Sequence, residues 1–202
     1  RHFMLKEIHE QPARIVDALR GRVNPDAHTV ELSEVKLDAA WLADIDRVVI
    51  LACGTSWHAG LVGKYAIEAI ARVPVEVDLA SEFRYRSPVI TNRTLAIAIS
   101  QSGETADTLA AIREAQRLGA KSVAVCNVME STIARECQNV IYTQAGPEIG
   151  VASTKAFTTQ LIALYLFAIW LGQRRGALTD ARRVSLIDAL RRIPGAVEKV
   201  LE

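Results

Sequence analysis

Two clusters of hydroxyl-bearing residues have the composition of an anion-binding site. The first is Cys53-Gly54-Thr55-Ser56 and the second is Ser100-Gln101-Ser102-Gly103-Glu104-Thr105. Each combines small side chains, a glycine that lets the backbone approach a ligand, and free N–H groups where a helix is expected to begin. Because a helix N-terminus favours negative charge and hydroxyls add donors, Ser100, Ser102 and Thr105 are typical of a phosphate cradle without a lysine.

The same residues have a second interpretation, because serine and threonine commonly cap helices. For one cluster alone, capping is the better explanation. Two hydroxyl-rich clusters that follow two strands of one sheet favour a shared pocket instead. Cys53 is similarly open: it is a candidate nucleophile at a strand end near a helix start, or a small residue beside a ligand, and we favour the second.

A third polar cluster, residues 148–155, precedes a long apolar stretch. It reads Glu148-Ile149-Gly150-Val151-Ala152-Ser153-Thr154-Lys155. Ser153 either caps the following helix or presents its hydroxyl to the same pocket, and this cluster alone favours capping. We expect the Lys155 ammonium to be solvated rather than bound to an anion.

Several other functions are excluded by the sequence. No G-x-G-x-x-G follows a strand and no G-x-x-x-x-G-K-[ST] occurs, so the fingerprints of nucleotide binding are missing. The four histidines have no metal-ligand spacing, and we predict neither a metal nor an organic cofactor. A net charge of +1 provides no global basic field for nucleic acid or an anionic membrane.

The cysteines and the apolar runs indicate a cytoplasmic protein. Cys53, Cys126 and Cys137 are odd in number and have no C-x-x-C spacing, as expected for reduced thiols. No signal peptide is evident at the start, and the longest apolar run, 161–171, is too short to cross a bilayer.

The secondary structure that must position these clusters is predicted to be a sheet with crossover helices. Residues 47–52 and 94–99 are continuously apolar, as strands covered on both faces are. Shorter strand candidates are 75–79, 122–126 and 140–142. The helical stretches between the strands are 56–71, 105–118 and 131–137. This alternation predicts βαβ units and a mainly parallel sheet.

Helical segments flank the sheet. Pro12 suits the first turn of a helix that runs to about Leu19, and residues 24–37 are the expected loose connection. Further helices are predicted at 153–172 and after Thr179. The fold class is therefore α/β: a three-layer αβα sandwich with a mainly parallel five-stranded sheet plus helical extensions. The predicted divisions are a helical extension over 1–46, a sheet domain over 47–175 and a C-terminal helix over 176–202.

These clusters, in this order, resemble the sugar isomerase (SIS) domain family, and the resemblance covers nearly the whole chain. The resemblance implies a flavodoxin-like sheet. The S-Q-S-G-E text alone marks the wider family. The text is most similar to the branch of the family that makes glucosamine 6-phosphate from fructose 6-phosphate and glutamine-derived ammonia. The segments specific to that branch are K-E-I-H-E-Q-P at 6–12, E-F-R-Y-R at 82–86 and G-V-A-S-T-K-A-F-T-T-Q at 150–160.

The resemblance implies a substrate site. In the family, hydroxyls and backbone N–H groups bind the sugar phosphate at positions matching Ser100, Gln101, Ser102 and Thr105. The positions that line the sugar match Cys53, Gly54, Thr55, Ser56, Val151 and Ser153. Glu148 matches a glutamate near the site and is the one candidate catalytic residue of this chain.

The resemblance also implies that the chain is the first SIS half of a longer aminotransferase. There, a glutaminase domain releases ammonia, while the second SIS half and the C-terminal tail supply the Schiff-base lysine, the acid/base glutamate and the ring-opening histidine. We therefore expect binding of fructose 6-phosphate or glucosamine 6-phosphate without turnover. We also expect a homodimer, because family members pair and the apolar helix after Ser153 needs cover.

Two other functions stay open from the sequence. One is a phosphosugar-sensing module of a regulator, although nothing in residues 1–46 reads as a DNA-binding helix-turn-helix with a basic face. The other is a free-standing phosphosugar isomerase or deglycase of the same fold, which would need its own acid/base residues.

Overall fold

A computed structural model describes residues 2–202 of the chain. It begins with helix α1 (Phe3–Leu19), an antiparallel hairpin of β1 (Val23–Asn24) and β2 (Thr29–Val30), and helix α2 (Ala39–Asp44). Then follow β3 (Arg47–Ala52), α3 (Gly54–Ala71), β4 (Val75–Leu79), α4 (Ala80–Phe83), β5 (Thr94–Ser100), α5 (Ala106–Arg117), β6 (Lys121–Cys126), α6 (Thr132–Glu136), β7 (Asn139–Tyr142), α7 (Lys155–Arg174) and α8 (Asp180–Leu201).

The five long strands form one parallel sheet in the order β4-β3-β5-β6-β7. The chain enters the sheet at β3, adds β4 on one side, and then reverses direction to build β5, β6 and β7 on the other. A reversal of strand order creates a crevice at the carboxyl edge of the sheet. In this chain that switch point lies between β3 and β5.

Alternate strand residues point into two separate apolar cores. On β3, Val48 and Ile50 pack in the core that includes α3 and α7, whereas Val49 and Leu51 pack in the core that includes α5. All seven residues of β5 are buried, which explains its continuous apolar sequence. This architecture confirms the predicted α/β sandwich with a five-stranded parallel sheet and flanking helices.

Helix α7 is long and apolar enough by composition to span a membrane, but 72% of its apolar window is buried inside the protein. It runs alongside α3 in the same direction, with Gln160 against Ser56 near one end and Gly172 beside Ile70 near the other. The expectation that this helix needs a partner subunit for cover is therefore wrong, because the chain covers it.

Two features of the N-terminal region differ from expectation. Helix α1 starts at Phe3, so Pro12 lies inside the helix and not in its first turn. Proline cannot donate to the carbonyl of Ile8, and the Gln11 side-chain amide donates to that carbonyl at 2.9 Å instead. The segment 24–37 is also more ordered than a loose connection, because it completes the β1–β2 hairpin and buries Val30.

Candidate functional site

The first two clusters lie side by side at the carboxyl edge of the sheet. Strand β3 ends at Ala52 and its neighbour β5 ends at Ser100, with Leu51 paired to Ala98 just before. Helix α3 begins at Gly54, directly after the end of β3, and α5 begins at Ala106, after the five-residue loop 101–105 that follows β5. Two helix N-termini therefore flank the switch point, where open parallel sheets bind their ligands.

The capping interpretation of these clusters finds no support at the N-cap positions themselves. Cys53 is the N-cap residue of α3 and Thr105 that of α5, and neither side chain makes a capping hydrogen bond. Both helices therefore begin without the side-chain acceptor that commonly satisfies their first N–H groups. Such an end can accept an anion.

The loop after β5 is curled around the buried Ser100 hydroxyl. The Ser100 Oγ accepts from Gly103 N at 3.0 Å and lies 3.1 Å from the Thr105 Oγ1. The Ser102 Oγ accepts from Glu104 N at 3.2 Å. Three hydroxyls and a run of backbone amides are thus concentrated in one turn.

Contacts to the segment after β6 fix the shape of this loop. Gly103 has a φ of 70°, and a Cβ at this position would lie 2.1 Å from the Ser131 Oγ, so only glycine fits. The Glu104 carboxylate accepts from both the N–H and the hydroxyl of Thr132, each at 2.7 Å, and these hydrogen bonds lower the pKa of Glu104. The Asn127 N–H donates to the Gln101 carbonyl at 3.1 Å.

The cluster after β3 presents one oriented hydroxyl. Gly54 has a φ of 58°, which suits glycine at this sharp entry into α3. The buried Ser56 Oγ accepts a 3.0 Å hydrogen bond from Nε2 of Gln160 on α7. Because its oxygen is an acceptor there, the Ser56 hydroxyl proton can be donated to another group. Thr55 and Gly54 are exposed, and Cys53 is half-buried.

The third cluster forms the loop that leads into α7, and Glu148 organises it. Its carboxylate accepts from the N–H groups of Thr154 and Ala156, at 2.9 and 3.2 Å, and from the Ser153 hydroxyl at 3.2 Å. Glu148 thus takes the capping role, while Ser153 donates to it. Val151, between them, is fully exposed.

Lys155 is not solvated, contrary to expectation. Its side chain is 4% exposed, and its Nζ lies 2.5 Å from a carboxylate oxygen of Glu10 on α1. The hydrogen bond from Lys155 lowers the pKa of Glu10. Since its ammonium is committed to this pair, Lys155 does not serve the hydroxyl clusters, which agrees with a cradle built from amides and hydroxyls.

Three residues that position the clusters were missed by the sequence reasoning. Gln160 orients Ser56, Glu7 contacts the third cluster from α1, and Asn127 joins the second cluster to the segment after β7 by donating to the Gly146 carbonyl at 2.8 Å. Their partners are distant in the sequence. Local spacing therefore contained no signal for them.

The edge formed by the clusters faces solvent. Thr55, Thr105 and Val151 are all exposed. The grooves along α1 and α8, one of about 530 Å³, contain no residue of the three clusters. Among residues 2–202, no group of three or more His, Cys, Asp or Glu side chains could hold a metal ion.

Fold and site together define the class of this protein. The family model described as SIS domain matches residues 41–170, and the chain belongs to the SIS domain family.

Within that class, the chain is similar to enzymes of amino-sugar synthesis. It is 53% identical over 201 residues to the glutamine–fructose-6-phosphate aminotransferase [isomerizing] of Caldanaerobacter subterraneus subsp. tengcongensis, covering 100% of this chain and 33% of the relative. It is 55% identical over 200 residues to the enzyme of the same name from Symbiobacterium thermophilum, covering 99% and 33%. The chain thus spans about a third of the length of the curated relatives it matches.

A solved structure is similar to this chain in both fold and sequence. It is the C-terminal domain of glucosamine-fructose-6-phosphate aminotransferase from Francisella tularensis. The TM-score is 0.91 at 41% sequence identity, and the match covers 96% of this chain and 55% of that one.

Proposed function

We propose that this chain is the first SIS half of the isomerase part of a glutamine–fructose-6-phosphate aminotransferase, and that it binds the phosphosugar at the switch point between β3 and β5. One observation carries the proposal: two hydroxyl clusters occupy adjacent strand ends, each at the N-terminus of a helix whose N-cap side chain makes no capping bond. Relatives of that name, more than half identical over this chain, support the choice of substrate.

In this proposal, the phosphate ester is bound by the loop after β5. Ser100, Gln101, Ser102 and Thr105 supply hydroxyls and backbone N–H groups, and the N-terminus of α5 favours the dianion electrostatically. No lysine is needed, because each hydrogen bond to a charged oxygen is worth more than a neutral one.

The sugar lies between the other two clusters. Cys53, Gly54, Thr55 and Ser56 line one side, and Val151 and Ser153 line the other. Ser56 is already oriented as a donor by Gln160. Small side chains around the hexose leave room for its hydroxyls.

Turnover requires groups from outside this chain. Ring opening, imine formation and a proton shift between C1 and C2 need an amine nucleophile and an acid/base group. The Lys155 ammonium is buried against Glu10, and the Glu148 carboxylate accepts four hydrogen bonds at the start of α7. The second SIS half and its tail, together with the glutaminase domain, would supply the chemistry in the whole protein.

The remaining parts of the proposal concern the whole protein. The division at residues 46 and 175, a cytoplasmic location and a homodimer are part of it. Exposed apolar side chains at the start of α1, including Phe3 and Leu5, support a covering partner of some kind. Light scattering of the chain at high concentration tests the dimer, and a monomer at all concentrations would contradict it for this chain.

The binding proposal is tested by calorimetry and ligand-observed NMR with fructose 6-phosphate and glucosamine 6-phosphate. We expect weak binding, because the pocket lacks groups from the partner half. Unphosphorylated fructose is the control and should give no response. A folded sample that binds neither phosphosugar at millimolar concentration would contradict the proposal.

A further inference from the structure

Helix α1 contains a buried carboxylate that reaches the third cluster. Glu7 is 3% exposed; its Oε1 accepts from Ile149 N at 2.6 Å and its Oε2 accepts from Gly150 N at 3.1 Å. These amides belong to the loop that ends at Ser153. We propose that Glu7 is a positioning residue for this loop, and thereby for the hexose part of the ligand; the inference rests on the proposed function.

The environment of Glu7 is unusual for a buried acidic side chain. Within residues 2–202 no cation pairs with Glu7, and its carboxylate accepts hydrogen bonds from the backbone amides of Ile149 and Gly150. One helical turn further on, Glu10 has its ion pair with Lys155. A buried carboxylate is costly unless its oxygens are well hydrogen-bonded, and an apolar residue would serve plain helix packing better. Holding the loop in a defined position is a role that an apolar residue could not perform.

Gly150 makes this contact possible. A Cβ at position 150 would lie 2.6 Å from the Glu7 Oε2, so a side chain there would force the Glu7 carboxylate to move away from the loop. The backbone φ of Gly150 is not among the positive values of this chain, so a side chain here is opposed by the nearby Glu7 carboxylate and not by backbone conformation. The contact therefore depends on residues of both elements, the carboxylate of Glu7 on the helix and the absence of a side chain at Gly150 on the loop.

The loop is held at both of its ends and free in its middle. Glu148 fixes the end at Ser153 and Thr154, while Glu7 fixes the amides of Ile149 and Gly150. Val151, between these points, is fully exposed. Fixing both ends restricts the loop before the ligand arrives, which lowers the cost of ordering it on binding.

The test is the substitution Glu7→Gln, which preserves size but turns one acceptor into an N–H₂ group facing a backbone N–H. We expect fructose 6-phosphate to bind about tenfold more weakly, equivalent to ~1.4 kcal/mol. The amide signals of Ile149 and Gly150 should shift even without ligand. Binding of inorganic phosphate, which engages only the loop after β5, should be unchanged.

Two further variants separate positioning from general destabilisation. Leu190→Ala removes a buried side chain of α8 from the apolar core, so it should lower stability and leave both affinities unchanged. Gly150→Ala pushes against Glu7 from the loop side and should reproduce the selective loss of hexose phosphate binding. It replaces Glu7→Gln as the test if that variant does not fold.

The outcomes distinguish this inference from the function on which it rests. A wild-type chain that binds no fructose 6-phosphate overturns the proposed function and this inference with it. A wild-type chain that binds, with Glu7→Gln binding equally well, overturns the inference alone. Equal weakening for inorganic phosphate and fructose 6-phosphate also overturns it, because the effect would then not be confined to the sugar.

Discussion

The three hydroxyls of the loop after β5 differ in what they already do inside the protein. Ser100 is buried and accepts the amide of the buried Gly103, so its oxygen is part of the fold. Ser102 accepts from Glu104 in an exposed turn, and Thr105 shares a hydrogen bond with Ser100. Substitution of each hydroxyl should therefore change ligand affinity and protein stability to different extents.

Ser102→Ala or Thr105→Ala should each weaken phosphosugar binding by about 1–2 kcal/mol, for a lost hydrogen bond to a charged group, and move the melting temperature little. Ser100→Ala should lower stability as well, by about 1–3 kcal/mol, because it leaves the Gly103 amide buried without an acceptor. Isothermal titration and thermal melts measure both quantities. A large fall in melting temperature for Ser102→Ala would show that this hydroxyl serves the fold.

Gly103→Ala should destabilise the protein by more than about 2 kcal/mol, since the left-handed backbone and the Ser131 side chain both oppose a Cβ. Gly195→Ala is the matched control, because a Cβ there meets nothing within 4 Å and the residue lies inside α8. The control should stabilise the helix by about 0.5–1 kcal/mol. Urea denaturation compares the two, and equal effects would contradict the steric account.

Cys53 should be the one thiol that alkylates readily in the native chain. Burial raises the pKa of Cys126 to about 11 and that of Cys137 to about 12, so both stay protonated near pH 8. Bound fructose 6-phosphate should slow the labelling of Cys53, which lines the proposed site. Mass spectrometry after iodoacetamide treatment gives the rates, with urea-unfolded protein as the control in which all three react. Labelling of Cys53 that ignores the ligand would remove it from the site.

At the scale of elements, the strands were predicted better than the helix ends. Strands 47–52 and 75–79 have the predicted bounds. The apolar residues of the first strand face cores on both sides of the sheet, and those of the second face the core that includes α3. The start of helix α1 was predicted wrongly, because a proline is most often found in the first turn of a helix. Pro12 lies inside the helix, where the Gln11 side chain donates to the Ile8 carbonyl that proline leaves without a backbone donor.

The site could be predicted in part for the same reason. The clusters at 53–56 and 100–105 follow strand ends, and the end of a strand can be predicted from the change in composition. The positioning roles of Glu7 and Gln160 could not be predicted, since their contacts join residues 142 and 104 positions apart. The environment of Lys155 was predicted wrongly because its ion-pair partner Glu10 lies 145 residues away and is brought near only by the packing of α1 on α7.

The contact between α1 and α7 makes stability depend on pH. The pKa of Glu10 is held below its ordinary value of 4.5 by the hydrogen bond from Lys155. A carboxyl with a lowered folded pKa contributes stability above its unfolded pKa and loses that contribution as pH falls through its folded pKa. Glu10→Gln should thus cost about 1–3 kcal/mol at pH 7, less than a fully buried pair because Glu10 is partly exposed.

Urea denaturation of wild type and Glu10→Gln from pH 7 down to acid pH measures this difference. The two curves should converge below pH 4.5, as the wild-type carboxyl becomes protonated. A difference that stays constant over the whole range would mean that the pair contributes through packing and not through charge.

At the scale of the whole molecule, the strand order gives the site its place. Because β4 is added on one side of β3 and β5 on the other, α3 and α5 pack on opposite faces of the sheet, and their N-termini lie on either side of the switch point at which open parallel sheets bind ligands. The local pattern predicted a parallel sheet, whereas the order of its strands depends on long-range packing and was implied only by the resemblance, because a flavodoxin-like sheet has this order. The sheet itself separates the two apolar cores, because alternate side chains of each strand point to opposite faces.

The central claim is that separate loops at one edge of the sheet bind one ligand together. Titration of ¹⁵N-labelled protein with fructose 6-phosphate, followed through its backbone amide signals, tests it most directly. We predict that the amides of residues 54–56 and 101–105 shift along a single binding curve, while those lining the groove between α1 and α8 stay in place. Shifts in one cluster without the other, or only along that groove, would contradict a shared phosphosugar site.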